Sequence, residues 1–218
     1  MPRMTRKEKP LIYIFCEGES EQAYAKFLQY EFHDKAAIKI PAKTGLFETA
    51  ENKFSKDAGY RDNAEVTDEI WFFFDVEQAD NEKLEKRRKI IKSLRGLRRK
   101  PNIRVRLLMT TACIEYWLML HYKKLRPPIV TPEDKKRMLE QVKQKVPLYK
   151  KGDYDSTAQI AKNYRTAIAN GQWTLDSLQG EIPCMENTEE RNLWLCRCGK
   201  TFTTVQEAIV FLKSLSSK

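Results

Sequence analysis

Leu11-Ile12-Tyr13-Ile14-Phe15-Cys16-Glu17-Gly18-Glu19-Ser20-Glu21 joins two patterns. Its first half is a continuous apolar run with aromatic and β-branched members, as in a strand buried on both faces. Gly18 breaks the run. From Ser20 onward, Ala23, Tyr24, Phe27 and Leu28 recur at helical spacing, with Glu21 in the first turn. The chain therefore reads as strand, acidic turn, helix. Residues 70–74 form a second apolar run of the same kind, and it stops at Asp75.

Working outward, residues 36–40 read as a strand that ends at Pro41. Residues 43–63 are weakly patterned and read as a loop with a helical piece. Segment 82–99 carries Leu84, Ile91, Leu94 and Leu97 on one stripe with basic residues around the rest, an amphipathic helix. Residues 103–109 read as a strand and 113–122 as an apolar helix. Strands alternating with helices imply an α/β fold, a mostly parallel sheet flanked by helices. Beyond Arg126-Pro127-Pro128 the character changes to helices at 132–146, 156–170 and 204–215, with loops at 150–153 and 171–183. The expected organisation is an α/β core over 1–125 and a helical C-terminal region over 126–218.

Composition narrows the function classes. With 41% hydrophobic residues, the 218-residue chain has the material for a buried core. No apolar run approaches the roughly 18 residues that span a bilayer, and the basic N-terminus leads into an apolar run too short for a signal peptide. Five cysteines, odd in number and without a pairing pattern, fit reduced thiols in a cytoplasmic protein. Cys184, Cys196 and Cys198 supply three thiols without a local His, short of a tetrahedral zinc set.

The charge is localised. Between positions 81 and 106 twelve Lys/Arg face only Glu82 and Glu85, an excess equal to the net charge of +10 for the whole chain. Such a surface attracts phosphates through counterion release, although charge runs are also ordinary solvated helix faces. Arg88, Lys92, Arg95 and Arg99 lie off the apolar stripe and are the expected nucleic-acid contacts. Tyr149-Lys150-Lys151 reads as a solvated loop, with substrate contact as the alternative.

In open parallel sheets, ligands gather at the carboxyl ends of strands. The first strand delivers Glu17, Glu19 and Glu21 there; the second delivers Asp75 and Glu77, with Asp80 close behind. Either group alone is ordinary helix capping. Two such groups after two buried-type strands point instead to a hard divalent cation, Mg²⁺ or Mn²⁺, held through carboxylate oxygens.

Three segments carry a family resemblance. Residues 12–21 resemble the first Toprim motif, a hydrophobic strand followed by Glu-Gly. Trp71-Phe72-Phe73-Phe74-Asp75-Val76-Glu77 resembles the second, a hydrophobic strand followed by Asp-x-Asp, with Glu77 in place of the second Asp. Ala112-Cys113-Ile114-Glu115-Tyr116-Trp117-Leu118-Met119-Leu120-His121-Tyr122 resembles the signature helix of RloB-like proteins, with Ala112 where that family usually has Pro. The resemblance implies a Toprim-like fold, a divalent metal and phosphodiester cleavage in bacterial anti-phage defence. On this basis Glu17, Glu21, Asp75 and Glu77 match the metal-binding and catalytic positions, while Glu115 and His121 match the signature helix without a derivable role. The expected substrate is RNA, transfer RNA included, or DNA. The expected partner protein is an ATPase, and assembly as a homodimer is left open. The alternative is a catalytically inactive nucleic-acid-binding subunit of an ATPase-containing defence complex.

The basic helix generates a test of its own. Gln is a comparable helix former, so replacing Arg88, Lys92 and Arg95 with Gln leaves the helix intact. Affinity for unrelated nucleic-acid sequences should fall alike, and the slope of log affinity against log salt should drop by about one per lost contact. Unchanged affinity and slope across a salt series would show a merely solvated face.

Overall fold

The computed structural model describes residues 9–77, 83–98 and 101–216. Four strands, β1 (Leu11–Cys16), β2 (Ala37–Lys39), β3 (Thr67–Val76) and β4 (Arg104–Thr111), form one sheet in the order β2-β1-β3-β4. All three pairings are parallel. The chain leaves β1 for β2 on one side and then crosses to β3 on the other. The carboxyl ends of β1 and β3 thus flank the point where connections diverge, where crevices open in such sheets.

Alternation along the strands builds two cores. Ile12, Ile14 and Cys16, with Trp71, Phe73 and Leu108, face one layer of helices. That layer holds α1 (Glu19–Glu31), α5 (Ile114–Met119), α6 (Pro132–Lys145), α7 (Tyr154–Ala161), α8 (Tyr164–Asp176) and α10 (Val205–Ser214). Tyr13 and Phe15, with Ile70, Phe72, Phe74 and Met109, face α2 (Phe47–Lys56), α4 (Leu84–Arg95) and α9 (Glu189–Arg197). Because Ile70 through Phe74 are all buried, β3 is the spine of both cores. Each such side chain contributes roughly 1.5–3 kcal/mol. The α/β architecture read from the alternation is the one observed.

Residues on both sides of position 125 share the first core: Ile12 and Trp117 cluster with Val142, Ile160 and Leu212. The C-terminal region also pairs with the last residues of β4 along its free edge. Thr111 N–H donates to the Phe202 carbonyl at 3.1 Å, and Thr204 N–H to the Met109 carbonyl at 2.9 Å. An edge paired in this way is no longer a template for another chain.

Several elements differ from expectation. Residues 43–63 hold two helices, α2 and α3 (Ala58–Asn63), because Phe47, Ala50 and Phe54 form a short stripe against the sheet. The helix expected over 156–170 is two helices, parting at Lys162-Asn163. The second of them, α8, runs through Gly171, read as the start of a loop. A Cβ there would lie 2.8 Å from Gln206 Oε1, so glycine serves close packing against α10. The buried stripe of α4 is Leu84, Ile90 and Leu94, with Ile91 and Leu97 half-buried. Helix α9 had no counterpart in the sequence pattern. Among the described residues no helix is long and apolar enough to cross a membrane.

One residue between β4 and α5 is strained. Ala112 has φ 64° and donates its N–H to the Val76 carbonyl at 3.1 Å. Left-handed backbone costs an L-residue roughly 1–2 kcal/mol, and proline, locked near −65° and lacking the donor, cannot adopt it. The turn into α5 therefore takes a path that the family's proline would not allow. Glycine regains the strain but loses roughly 0.4–1 kcal/mol through the unfolded chain. Ala112→Gly should accordingly gain about 0.5–1 kcal/mol in denaturant titrations, and Ala112→Pro should lose about 3 kcal/mol or more. Equal stability of all three proteins would rule out the left-handed turn.

Candidate active site

Four carboxylates come together at the carboxyl edge of the sheet. Glu17 follows β1, and its Oε2 accepts the Asp75 N–H at 2.9 Å, tying the ends of β1 and β3 together. Glu21 lies in the first turn of α1, buried, with Oε2 accepting the Gly18 N–H at 3.0 Å. A Cβ at Gly18 would come within 2.9 Å of that oxygen, so the glycine of the Glu-Gly pair leaves room for the carboxylate. Asp75 is the penultimate residue of β3, and its Oδ1 is buried without a hydrogen bond from any described residue. Glu115, 1% exposed, enters from the first turn of α5.

The carboxylates perturb one another. Burial first, and then the charges of Glu17 and Glu115, raise the Glu21 carboxyl to about 7 against the backbone hydrogen bonds that favour its ionised form. Asp75 is driven well above the ordinary carboxylate range by burial and then by Glu21, Glu17 and Glu115, with Lys135 opposing. The neighbouring Cys113 thiol is raised to about 12 by burial, Glu115 and Asp75. Two lysines pair with acids here. Lys151 Nζ lies 3.2 Å from Glu115 Oε1, and the Tyr149 hydroxyl donates to the same oxygen at 3.4 Å. Lys135, on α6, pairs with Glu77.

The expected site residues thus separate. Glu17, Glu21 and Asp75 are brought together, and Glu115, whose role the sequence left underived, joins them. Glu77 is exposed and held by Lys135. His121 is elsewhere: 2% exposed, its Nδ1 3.0 Å from the Trp117 carbonyl and its Nε2 3.0 Å from the Tyr24 hydroxyl. A carbonyl can only accept, so Nδ1 carries the proton and Nε2 accepts from Tyr24. Burial lowers this imidazole to about 4 and keeps it neutral within the core.

The basic helix lies on the opposite face of the sheet. Arg88 and Lys92 are exposed, but Arg95 is half-buried rather than fully exposed. Arg88 Nε donates to Glu189 Oε1 at 2.7 Å, and Arg95 Nη1 lies 3.5 Å from Glu189 Oε2. The unanticipated helix α9 thereby neutralises part of this surface. Arg99, like Asp80 and Glu82, lies outside the described residues.

Asp75 Oδ1, without a donor and facing three carboxylates, has the chemistry of a hard-cation ligand. Among the described residues no three His, Cys, Asp or Glu side chains already stand in ligating geometry, so capture of an ion requires these carboxylates to turn toward a shared point.

The pH sense follows from the raised groups. The contribution of Glu21 to stability is fully present below its ordinary value near 4.5 and is lost as pH rises through about 7. Mn²⁺ favours the ionised form, so it should raise the melting temperature more at pH 8 than at pH 5. Glu21→Gln keeps an acceptor for Gly18 and should gain about 1–3 kcal/mol at pH 8 without metal, while losing most of the Mn²⁺ shift. A Mn²⁺ shift that is equal at both pH values and retained in Glu21→Gln would contradict this assignment.

A family model described as RloB-like protein matches residues 12–212, reaching well beyond the three motifs into the C-terminal helices. No curated protein and no solved structure matches the chain.

Proposed function

The chain belongs to the RloB-like family, and from that premise we propose that it is a divalent-metal-dependent nuclease of Toprim type, acting on RNA or DNA in anti-phage defence. The observation that carries the proposal is the convergence of Glu17, Glu21, Asp75 and Glu115 where β1 and β3 end, with Asp75 Oδ1 left without a donor.

Asp75, Glu17 and Glu21 would hold Mg²⁺ or Mn²⁺, with Glu115 completing the charge. When bound, such an ion lowers the pKa of its water and offsets charge on the phosphoryl group. The protein's own residues do the rest. Glu17 couples the ends of β1 and β3, fixing the separation of the two motifs. Lys151, which pairs with Glu115, and Lys135, whose charge acts on Asp75, supply cations for a substrate phosphate. Cys113 remains a neutral thiol and takes no nucleophilic part. An ATPase partner and a transfer-RNA substrate belong to the same reading through the family alone.

One observation favours the second reading, a binding subunit without cleavage that serves an ATPase. Glu77, at the place of the motif's second Asp, is exposed and held by Lys135. Incubation of the purified protein with total RNA and plasmid DNA in Mg²⁺, Mn²⁺ or chelator separates the two. Cleavage should require metal and fall by at least about a hundredfold in Asp75→Asn, a loss of a few kcal/mol of charge stabilisation. Glu77→Ala should lose less than Asp75→Asn. Salt-sensitive binding with no cut ends under any metal would select the binding subunit.

A further inference from the structure

Between Glu140 and Asp153 the chain carries four lysines, Lys143, Lys145, Lys150 and Lys151, and no Asp or Glu. The excess is invisible in the overall charge map because acids elsewhere balance it. The segment ends α6 and then forms a loop fastened to the carboxylate edge. Val146 and Tyr149 are buried, and the Tyr149 hydroxyl reaches Glu115. Gly152 N–H donates to Ser20 Oγ at 3.1 Å. Gly152 has φ +75°, and a Cβ there would meet Glu19 Cβ at 2.8 Å, so only glycine allows the loop to sit this close to α1.

Within this pinned frame Leu148 is 82% exposed. A single exposed leucine is ordinary. This one stands between the buried Val146 and Tyr149, in a segment whose charged residues from 141 to 152 are all lysines, on a loop that reaches Glu115 through Tyr149 and Lys151. Lys150 and Lys151 are exposed on the same loop, and Lys151 reaches Glu115 at 3.2 Å. An apolar side chain presented rigidly among cations is the combination by which proteins engage the bases and the phosphates of a nucleic acid together.

We infer that residues 148–151 form the substrate-seating loop of this site: Lys150 and Lys151 take backbone phosphates of a single-stranded segment, and Leu148 packs against its bases. The inference rests on the nuclease reading for its setting but is tested by binding alone. It also moves the main contact from α4, on the far face and partly neutralised by Glu189, to the edge where the carboxylates lie.

The experiment is fluorescence anisotropy with labelled single-stranded RNA and DNA oligonucleotides of mixed sequence, in chelator, across a salt series. All three side chains are exposed, but Lys151 pairs with the buried Glu115, so the melting temperature of each variant is measured first to establish that it folds. Lys150→Gln and Lys151→Gln should each lower the slope of log affinity against log salt by about 0.7. Leu148→Ser should weaken binding about tenfold at unchanged slope, the worth of burying one leucine. Parental affinity and slope in all three variants would overturn the proposal, as would a parent that binds neither oligonucleotide. Loss in the same variants of binding to anionic phospholipid vesicles, with oligonucleotide binding intact, would overturn it in favour of a membrane surface. Loop effects as expected, together with no metal-dependent cleavage, would leave the loop assignment standing and remove the nuclease reading. Metal-dependent cleavage with parental binding in every variant would do the reverse.

Discussion

Glu21 and Glu115, both buried, and the half-buried Asp75 bring like charge together, and the edge of the sheet is organised around that repulsion. Carboxylates so placed either take up protons more readily, as the raised Glu21 and Asp75 do, or require a positive partner, as Glu115 finds in Lys151. Such an arrangement works against stability. It persists because the surrounding structure over-determines it. The apolar spine of β3 sets Asp75, Gly18 makes room for Glu21, and the strained turn at Ala112 leads into the helix that delivers Glu115.

The parts of this arrangement legible in the sequence are those written in local pattern. The runs at 11–16 and 70–74 are strands, and a parallel sheet places whatever follows them at one edge, so Glu17, Glu21 and Asp75 could be grouped without coordinates. Glu115 could not, because its membership depends on the turn at Ala112 and on the pairing of β3 with β4, both long-range facts. Glu77 is a different case. Motif spacing placed it beside Asp75, but β3 ends at Val76, so strand alternation no longer sets the direction of its side chain, and the contact that it makes, with Lys135, comes from α6.

Charge counting showed a related blind spot. The dense basic segment drew attention to α4, yet its guanidinium groups are shared with Glu189 from a helix that no periodicity announced. The smaller lysine group at 143–151 balanced out in the total, although it lies beside the carboxylates. Net charge identifies a class of partner; which surface meets that partner is set by what the fold places opposite each cation.

The central claim is that these carboxylates share a divalent cation. Its most direct test is anomalous diffraction from crystals soaked in Mn²⁺. A peak within ligand distance of Asp75 and of at least one of Glu17 and Glu21 is the expected result. A peak confined to Glu77, or density showing no ion among these side chains at saturating Mn²⁺, would contradict the account.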